Sequence, residues 1–261
     1  MEGLNFREMG SGPTLILIHG FPLNQQIWKD FADKLSESLH VVTVDLPGFG
    51  KSPLPPDGFT IDDVAATLLR WIRARKYEKP VVAGHSLGGY IALAMAAQEP
   101  ESMAGMCLFH STAIADSDEK KASRDKVLEF ISKQGVRAFT SNFVSQLYAD
   151  PRHHSITRVK NVAVQASAEA VTGYTLAMRE RPDRTGVLQQ FPGSILFLAG
   201  EKDQGIPTDS ILEQARLSPR AEAVILPDAA HMGMFESEGS CLKKLVHFVR
   251  KSAVTITPGA V

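Results

Sequence analysis

Gly84-His85-Ser86-Leu87-Gly88 sets a serine between two glycines, where the apolar run Val81–Gly84 gives way to the helix-periodic stretch Leu87–Gln98. In that context G-x-S-x-G holds a serine on a tight, strained turn and displays its hydroxyl at a helix N-terminus. There the backbone N–H of Leu87 and the positive end of the helix dipole can meet a developing oxyanion. Serine is a poor nucleophile at neutral pH, so it needs a base, and the base needs an orienting carboxylate. Of the eight histidines, His231 lies in LPDAAHMGMFE, between the last strand pattern and the last helix pattern. Asp203 lies in FLAGEKDQG, just past the strand pattern Ile195–Ala199. Both therefore fall beyond the carboxyl ends of strands, the edge where open α/β sheets bind ligands. The chain order Ser86, Asp203, His231 is the one that accompanies a nucleophile elbow. A structural turn serine and a solvated loop histidine are the simpler alternatives, and the shared context weighs against them. Two other carboxylates compete for the third role; Asp228 reads as part of the LPDAAH turn and Asp209 as a helix cap.

A second oxyanion donor is expected from LILIHGFP, where Gly20 lets the backbone turn inward and the N–H of Phe21 faces the pocket. His19 reads as a brace for that loop, and His85 as a packing and hydrogen-bonding neighbour of the serine. His110 ends a strand at the same edge, so it lines the pocket or is a satisfied core histidine. Trp28, Phe139, Phe143, Tyr174 and Met178 are candidate pocket walls, although each is individually well explained by core packing. His153 and His154 are adjacent and point apart, which suits solvent better than a metal. No metal is expected. Gly50-Lys51-Ser52 fails as a phosphate loop because glycine would be needed at the position of Asp45, and Gly84 to Gly89 lacks dinucleotide-loop spacing. No cofactor is implied.

The elements that must position these groups are visible as patterns. Short Val-, Ile- and Leu-rich runs at Thr14–Ile18, Val41–Asp45, Val81–Gly84, Met106–His110, Ile195–Ala199 and Ala223–Leu226 suit strands buried on both faces. Helix spacing appears at Ile61–Arg75, Leu87–Gln98 and Cys241–Lys251, and this alternation means crossover connections in an α/β fold. From Thr112 to Gln190 no strand-like run occurs, only helical segments, too long for a plain loop. Asp116 with Glu119 suggests a capping-box start for a helix through Ser132, a second helix stacks Phe139, Phe143 and Leu147, and a third runs from Asn161 to Arg181 before Pro182. The mixed charges from Asp116 to Arg124 read as a solvated helix face. The terminal TITPGAV reads as a loose tail.

A net charge of −1 and 22% charged residues argue against a nucleic-acid partner. Cys107 and Cys241 are far apart and suit buried, reduced thiols. No apolar run approaches the ~18 residues of a membrane span, and the N-terminus shows no signal-peptide pattern. A soluble, cytoplasmic protein is expected; nothing here sets an oligomeric state.

HGFP (His19–Pro22), DLPGFGKS (Asp45–Ser52), GHSLGG (Gly84–Gly89), GEKD (Gly200–Asp203) and AHMGMFE (Ala230–Glu236), in order across nearly the whole chain, resemble the α/β-hydrolase superfamily. The resemblance implies a mostly parallel central sheet flanked by helices, with a helical cap inserted after the sixth strand. Residues 1–111 and 191–261 would form the core and residues 112–190 the cap. The short stretch before Thr14 has room for one strand, so the usual first strand is expected to be missing. Ser86 places the chain with esterases and lactonases rather than haloalkane dehalogenases or typical epoxide hydrolases, which carry aspartate there. The implied activity is hydrolysis of a small carboxylic ester, thioester or lactone through an acyl-enzyme. C–C bond hydrolysis or acyl transfer by the same triad is the alternative, and a ligand sensor with little turnover is a third. The partner expected is a small acyl substrate, with neither nucleic acid nor membrane.

Overall fold

The computed structural model describes residues 3–254, so the tail pattern at 255–261 lies outside the described residues. Seven strands form one sheet: β1 (Phe6–Met9), β2 (Thr14–Ile18), β3 (His40–Val44), β4 (Val81–His85), β5 (Gly105–Phe109), β6 (Ser194–Gly200) and β7 (Ala221–Leu226). Their order is β1-β3-β2-β4-β5-β6-β7, with β1 antiparallel to β3 and every other pairing parallel. This is the fold of α/β hydrolases. Successive residues of each strand serve opposite faces. Ile16, Ile18, Val82, Met106 and Leu108 enter one apolar core, while Leu15, Leu17, Val81, Ala83, Cys107 and Phe109 enter the other.

Helices cover both faces. α1 (Lys29–Leu35), α2 (Ile61–Ala74) and α3 (Leu87–Gln98) alternate with the first strands. Thr60 and Asp63 start α2 with a reciprocal capping box. α3 is buried from Leu87 through Ala96 on every side, as expected of a central helix with no polar face. Its close approach to β4 requires glycine, because a Cβ on Gly84 would lie 2.1 Å from the Gly88 carbonyl oxygen.

Between β5 and β6 run five helices, α4 (Asp118–Gln134), α5 (Val136–Ser145), α6 (Ile156–Ala163), α7 (Ala168–Arg179) and α8 (Thr185–Gln190). The insertion follows the fifth strand of this chain, one earlier than the expected sixth, because the described residues before Thr14 supply a single strand. Its segmentation differs from the sequence pattern. Ser117, not Asp116, caps α4, accepting the Lys120 N–H, and Asp116 is buried between two arginines. Leu147 lies past the end of α5. The stretch expected as one helix from Asn161 is two, because Ser167 turns out of α6 and caps α7 by accepting the Ala170 N–H. After β6 come α9 (Thr208–Ala215), then β7, α10 (Gly233–Glu236) and α11 (Glu238–Val254). Asp209 sits in the first turn of α9, whose N-cap is Pro207. Cys107 and Cys241 are both free and buried. Among the described residues no helix is long and apolar enough to cross a membrane.

Candidate active site

β4, β6 and β7 are parallel, so the loops after them emerge at one edge of the sheet, and these loops carry Ser86, Asp203 and His231. Ser86 occupies φ 50°, ψ −110°, a backbone conformation that L residues rarely adopt. The turn is held from both sides: the Ser86 N–H donates to the Phe109 carbonyl at 2.9 Å, and Ser111 Oγ donates to the Ser86 carbonyl at 2.8 Å. Leu87 opens α3, so its N–H has no acceptor within the helix.

His231 Nδ1 donates to Asp203 Oδ2 at 2.6 Å. The other oxygen, Oδ1, accepts the N–H groups of Gly205 at 2.9 Å and Ile206 at 3.2 Å. Burial acts to raise the Asp203 pKa, but the His231 charge and hydrogen bond, with smaller help from His110 and the Gly205 N–H, outweigh it and hold the carboxyl at about 2. Asp203 is therefore ionised at neutral pH and fixes the tautomer in which His231 Nε2 is free to accept a proton. Asp228, by contrast, is exposed and pairs with Lys202 at 3.6 Å, away from the imidazole.

The loop carrying His231 is held by Glu236, to which the sequence patterns assign no role, and by the scaffold histidines His85 and His110. Glu236 accepts three backbone N–H groups, those of Ala149 at 2.7 Å, Ala230 at 3.0 Å and Met232 at 3.1 Å, and so clamps both neighbours of His231. It stands inside AHMGMFE, and its spacing from His231 along the loop is the only local signal of that role. His85 Nε2 donates to the His231 carbonyl at 2.9 Å, and the His231 N–H donates to the Leu147 carbonyl at 2.9 Å. Buried His110 faces the N–H of Gly200 with Nδ1 at 3.2 Å and the N–H of Gly233 with Nε2 at 3.0 Å. A neutral imidazole offers one lone pair, so one of these N–H groups is bonded and the other only packed. Burial and the neighbouring His231 lower the His110 pKa to about 3, and burial pushes His85 well below its ordinary value. Both rings are neutral scaffolding rather than additional bases.

Ser86, Asp203, His231, Phe21, Phe139, Phe143 and Met178 all line one cavity of about 390 Å³. Among the described residues Ser86 Oγ makes no hydrogen bond; such contacts commonly tighten only when substrate binds. The other expected wall residues lie elsewhere for definite reasons. Trp28 is fully buried, stacked on Phe109 at 5.9 Å on the other face of the sheet. The Tyr174 hydroxyl donates to the Pro47 carbonyl at 2.9 Å, and its ring packs between Phe49 and Phe59, tying α7 to the core. His19 lies behind the wall, donating from Nδ1 to the Gly20 carbonyl at 2.9 Å and accepting the Leu46 N–H on Nε2 at 3.0 Å. His85 and His110 are likewise behind the wall. Lys120, Arg124 and Gln146 line the cavity although nothing local singled them out.

His110, Asp203 and His231 also bring one ligand atom each within 4.8 Å of one another, close enough to hold an ion by distance alone. Their chemistry does not suit one. The His110 nitrogens face N–H groups, His231 Nδ1 is spent on Asp203, and the carboxylate already accepts three donors.

The alpha/beta hydrolase family model matches residues 15–239, and the chain belongs to that family. It is 29% identical over 259 residues, 95% of this chain and 67% of the relative, to a dihydrolipoyllysine-residue acetyltransferase component of an acetoin cleaving system from Pseudomonas putida. It is 27% identical over 242 residues, 87% of this chain and 91% of the relative, to a pimeloyl-[acyl-carrier protein] methyl ester esterase from Pseudoalteromonas atlantica. Among solved structures, a thermophilic esterase from Thermogutta terrifontis superposes with a TM-score of 0.89 at 30% identity, covering 95% of this chain and 93% of that one.

Proposed function

We propose that the protein is a serine hydrolase of small carboxylic esters, thioesters or lactones, with residues 112–190 as a cap over a core made of 1–111 and 191–261. The observation that carries this reading is the 2.6 Å His231–Asp203 hydrogen bond on the wall of the cavity into which the strained turn at Ser86 opens. His231 takes the Ser86 proton as Oγ attacks the carbonyl carbon, and Asp203 stabilises the imidazolium that forms. The N–H groups of Leu87 and Phe21 receive the tetrahedral oxyanion, each worth roughly 3 kcal/mol of transition-state stabilisation. His231 then protonates the leaving group, and water attacks the acyl-enzyme with the same proton transfers in reverse order. Esterase activity in the names of two of the relatives above supports the reading, and the two buried thiols suit a reducing, cytoplasmic setting.

The Pseudomonas putida relative's name favours a second outcome for the same intermediate, transfer of the acyl group to an acceptor other than water. A fluorophosphonate probe tests the shared chemistry: Ser86 should be labelled in the folded protein and protected by an ester substrate. Labelling absent from a folded sample overturns both readings. Product analysis with a competing thiol then separates hydrolysis from transfer.

A further inference from the structure

Two cations on the cavity wall have no part in the chemistry above. Lys120 and Arg124 stand one turn apart on α4, and both line the cavity that holds Ser86 and His231. The wall's other charged groups, Asp203 and His231, are bonded to each other.

Arg124 is held from behind. Its Nε donates to Asp116 Oδ2, on a side chain with no solvent exposure. Arg181 approaches the other oxygen of Asp116 to 2.7 Å. Arg181 is itself buried, lies over the Tyr90 ring at 3.9 Å, and donates to the carbonyls of Met178 and Ile114 at 2.9 Å each. Two guanidinium groups thus share one buried carboxylate, with Asp183 also close enough to feel the Arg181 charge, and Lys120 adds a further cation on the cavity side.

The donors that remain are poorly used. Arg124 Nη1 meets only the Met178 sulfur, at 3.6 Å, a weak acceptor, and Nη2 makes no hydrogen bond among the described residues. Lys120 Nζ donates to the Gly205 carbonyl at 2.8 Å, beside the Asp203 loop, and keeps two further protons. A guanidinium oriented by a buried carboxylate, with no acceptor stronger than a thioether on its outer donors, is prepared for an oxyanion.

We propose that Lys120 and Arg124 form an anion subsite, and that the substrate is an ester, thioester or lactone bearing a second, ionised carboxylate remote from the scissile carbonyl. The proposal rests on the hydrolase reading and adds the substrate class to it. Discrimination runs both ways: an anionic group gains charge-assisted hydrogen bonds, whereas a purely apolar chain closes the cavity over poorly paired donors.

Monomethyl glutarate and methyl valerate have matched chain lengths and differ in the remote carboxylate. Followed by proton release at pH 7.5, kcat/KM should favour the half-ester by about tenfold or more, the size of one charge-assisted hydrogen bond. Lys120→Gln and Arg124→Gln should each lower that ratio several-fold. Lys120 is exposed on its helix, so its substitution keeps the fold even if the Arg124 variant does not survive. Glutarate titrated calorimetrically into Ser86→Ala protein reads the subsite without turnover, and binding should weaken in Ser86→Ala combined with Lys120→Gln. Glutarate binding that depends on Lys120 upholds the subsite even if neither ester is cleaved. Cleavage of methyl valerate with no half-ester preference and no glutarate binding overturns the subsite and leaves the hydrolase reading standing. A ratio identical in wild type and Lys120→Gln also overturns it, since the lysine then serves only to tie α4 to the Gly205 loop.

Discussion

Lowering the pH from 7 to 5 should destabilise this protein well before its carboxylates titrate, because three histidines are buried as neutral rings. Burial lowers His19 from 6.5 to about 4 and His110 from 6.5 to about 3, and it carries His85 well below its ordinary value. All three are at most 1% exposed. A ring whose folded pKa is depressed contributes stability that is fully present above the unfolded value near 6.5 and is lost as pH falls toward the folded value. At pH 5 an unfolded histidine is protonated over its neutral form by roughly thirtyfold, while His19 and His110 in the folded protein stay largely neutral, so each costs about 2 kcal/mol. Together they remove about 4 kcal/mol, a large part of a typical folding free energy of roughly 5–15 kcal/mol, and His85 adds in the same direction. Asp203 does not blur this window: its contribution is present above the unfolded 3.8 and is lost only as pH falls through about 2.

Urea unfolding followed by circular dichroism at half-unit steps from pH 7.5 to 5 measures the slope directly. The melting temperature should fall by about 10 °C between pH 7 and 5. His19→Gln should lower stability at pH 7, since the ring links the Gly20 and Leu46 backbones, yet flatten the slope by one proton. A melting temperature moving by less than about 2 °C, or a slope unchanged in His19→Gln, refutes the reasoning.

Two substitutions separate the site's chemistry from its scaffold. Ser86→Ala and Ser86→Gly should both lower kcat/KM by roughly a thousandfold or more, but only glycine relaxes the positive φ, so Ser86→Gly should be the more stable by about 1 kcal/mol in thermal unfolding. Glu236→Gln removes the charge that binds three N–H groups around His231; kcat should drop by about tenfold with KM little changed, measured on whichever short ester the wild type hydrolyses.

What the amino-acid order reveals depends on the range of the interaction that decides each feature. Strands β2 to β7 and helices α2, α3 and α11 follow from periodicities within a few residues, and the places of Ser86, Asp203 and His231 follow from the rule that parallel strands deliver their trailing loops to one edge. The inserted helices are harder, because they pack on each other and on the loops below, and only those contacts decide which face is inward. Phe139 and Tyr174 look alike as aromatic residues at helical spacing; one reaches the cavity, while the other is drawn into the core by Phe49, Phe59 and the Pro47 carbonyl.

Asp116 shows the limit most clearly. Locally, with Glu119 three residues on, it reads as the start of a helix, and the alternating charges through Arg124 read as a solvated face. Its actual partner set is completed by Arg181, late in the insertion and after three further helices. Burying that carboxylate between two guanidinium groups is what turns Arg124 from a surface charge into an oriented donor on the cavity wall. A charge pattern that alternates along the chain is therefore regrouped in space, since the residues that cancel one another in sequence are not those that meet in the fold. The triad can be inferred from topology because its members sit at strand ends; the groups that select the substrate cannot, because long-range packing of the insertion assigns them.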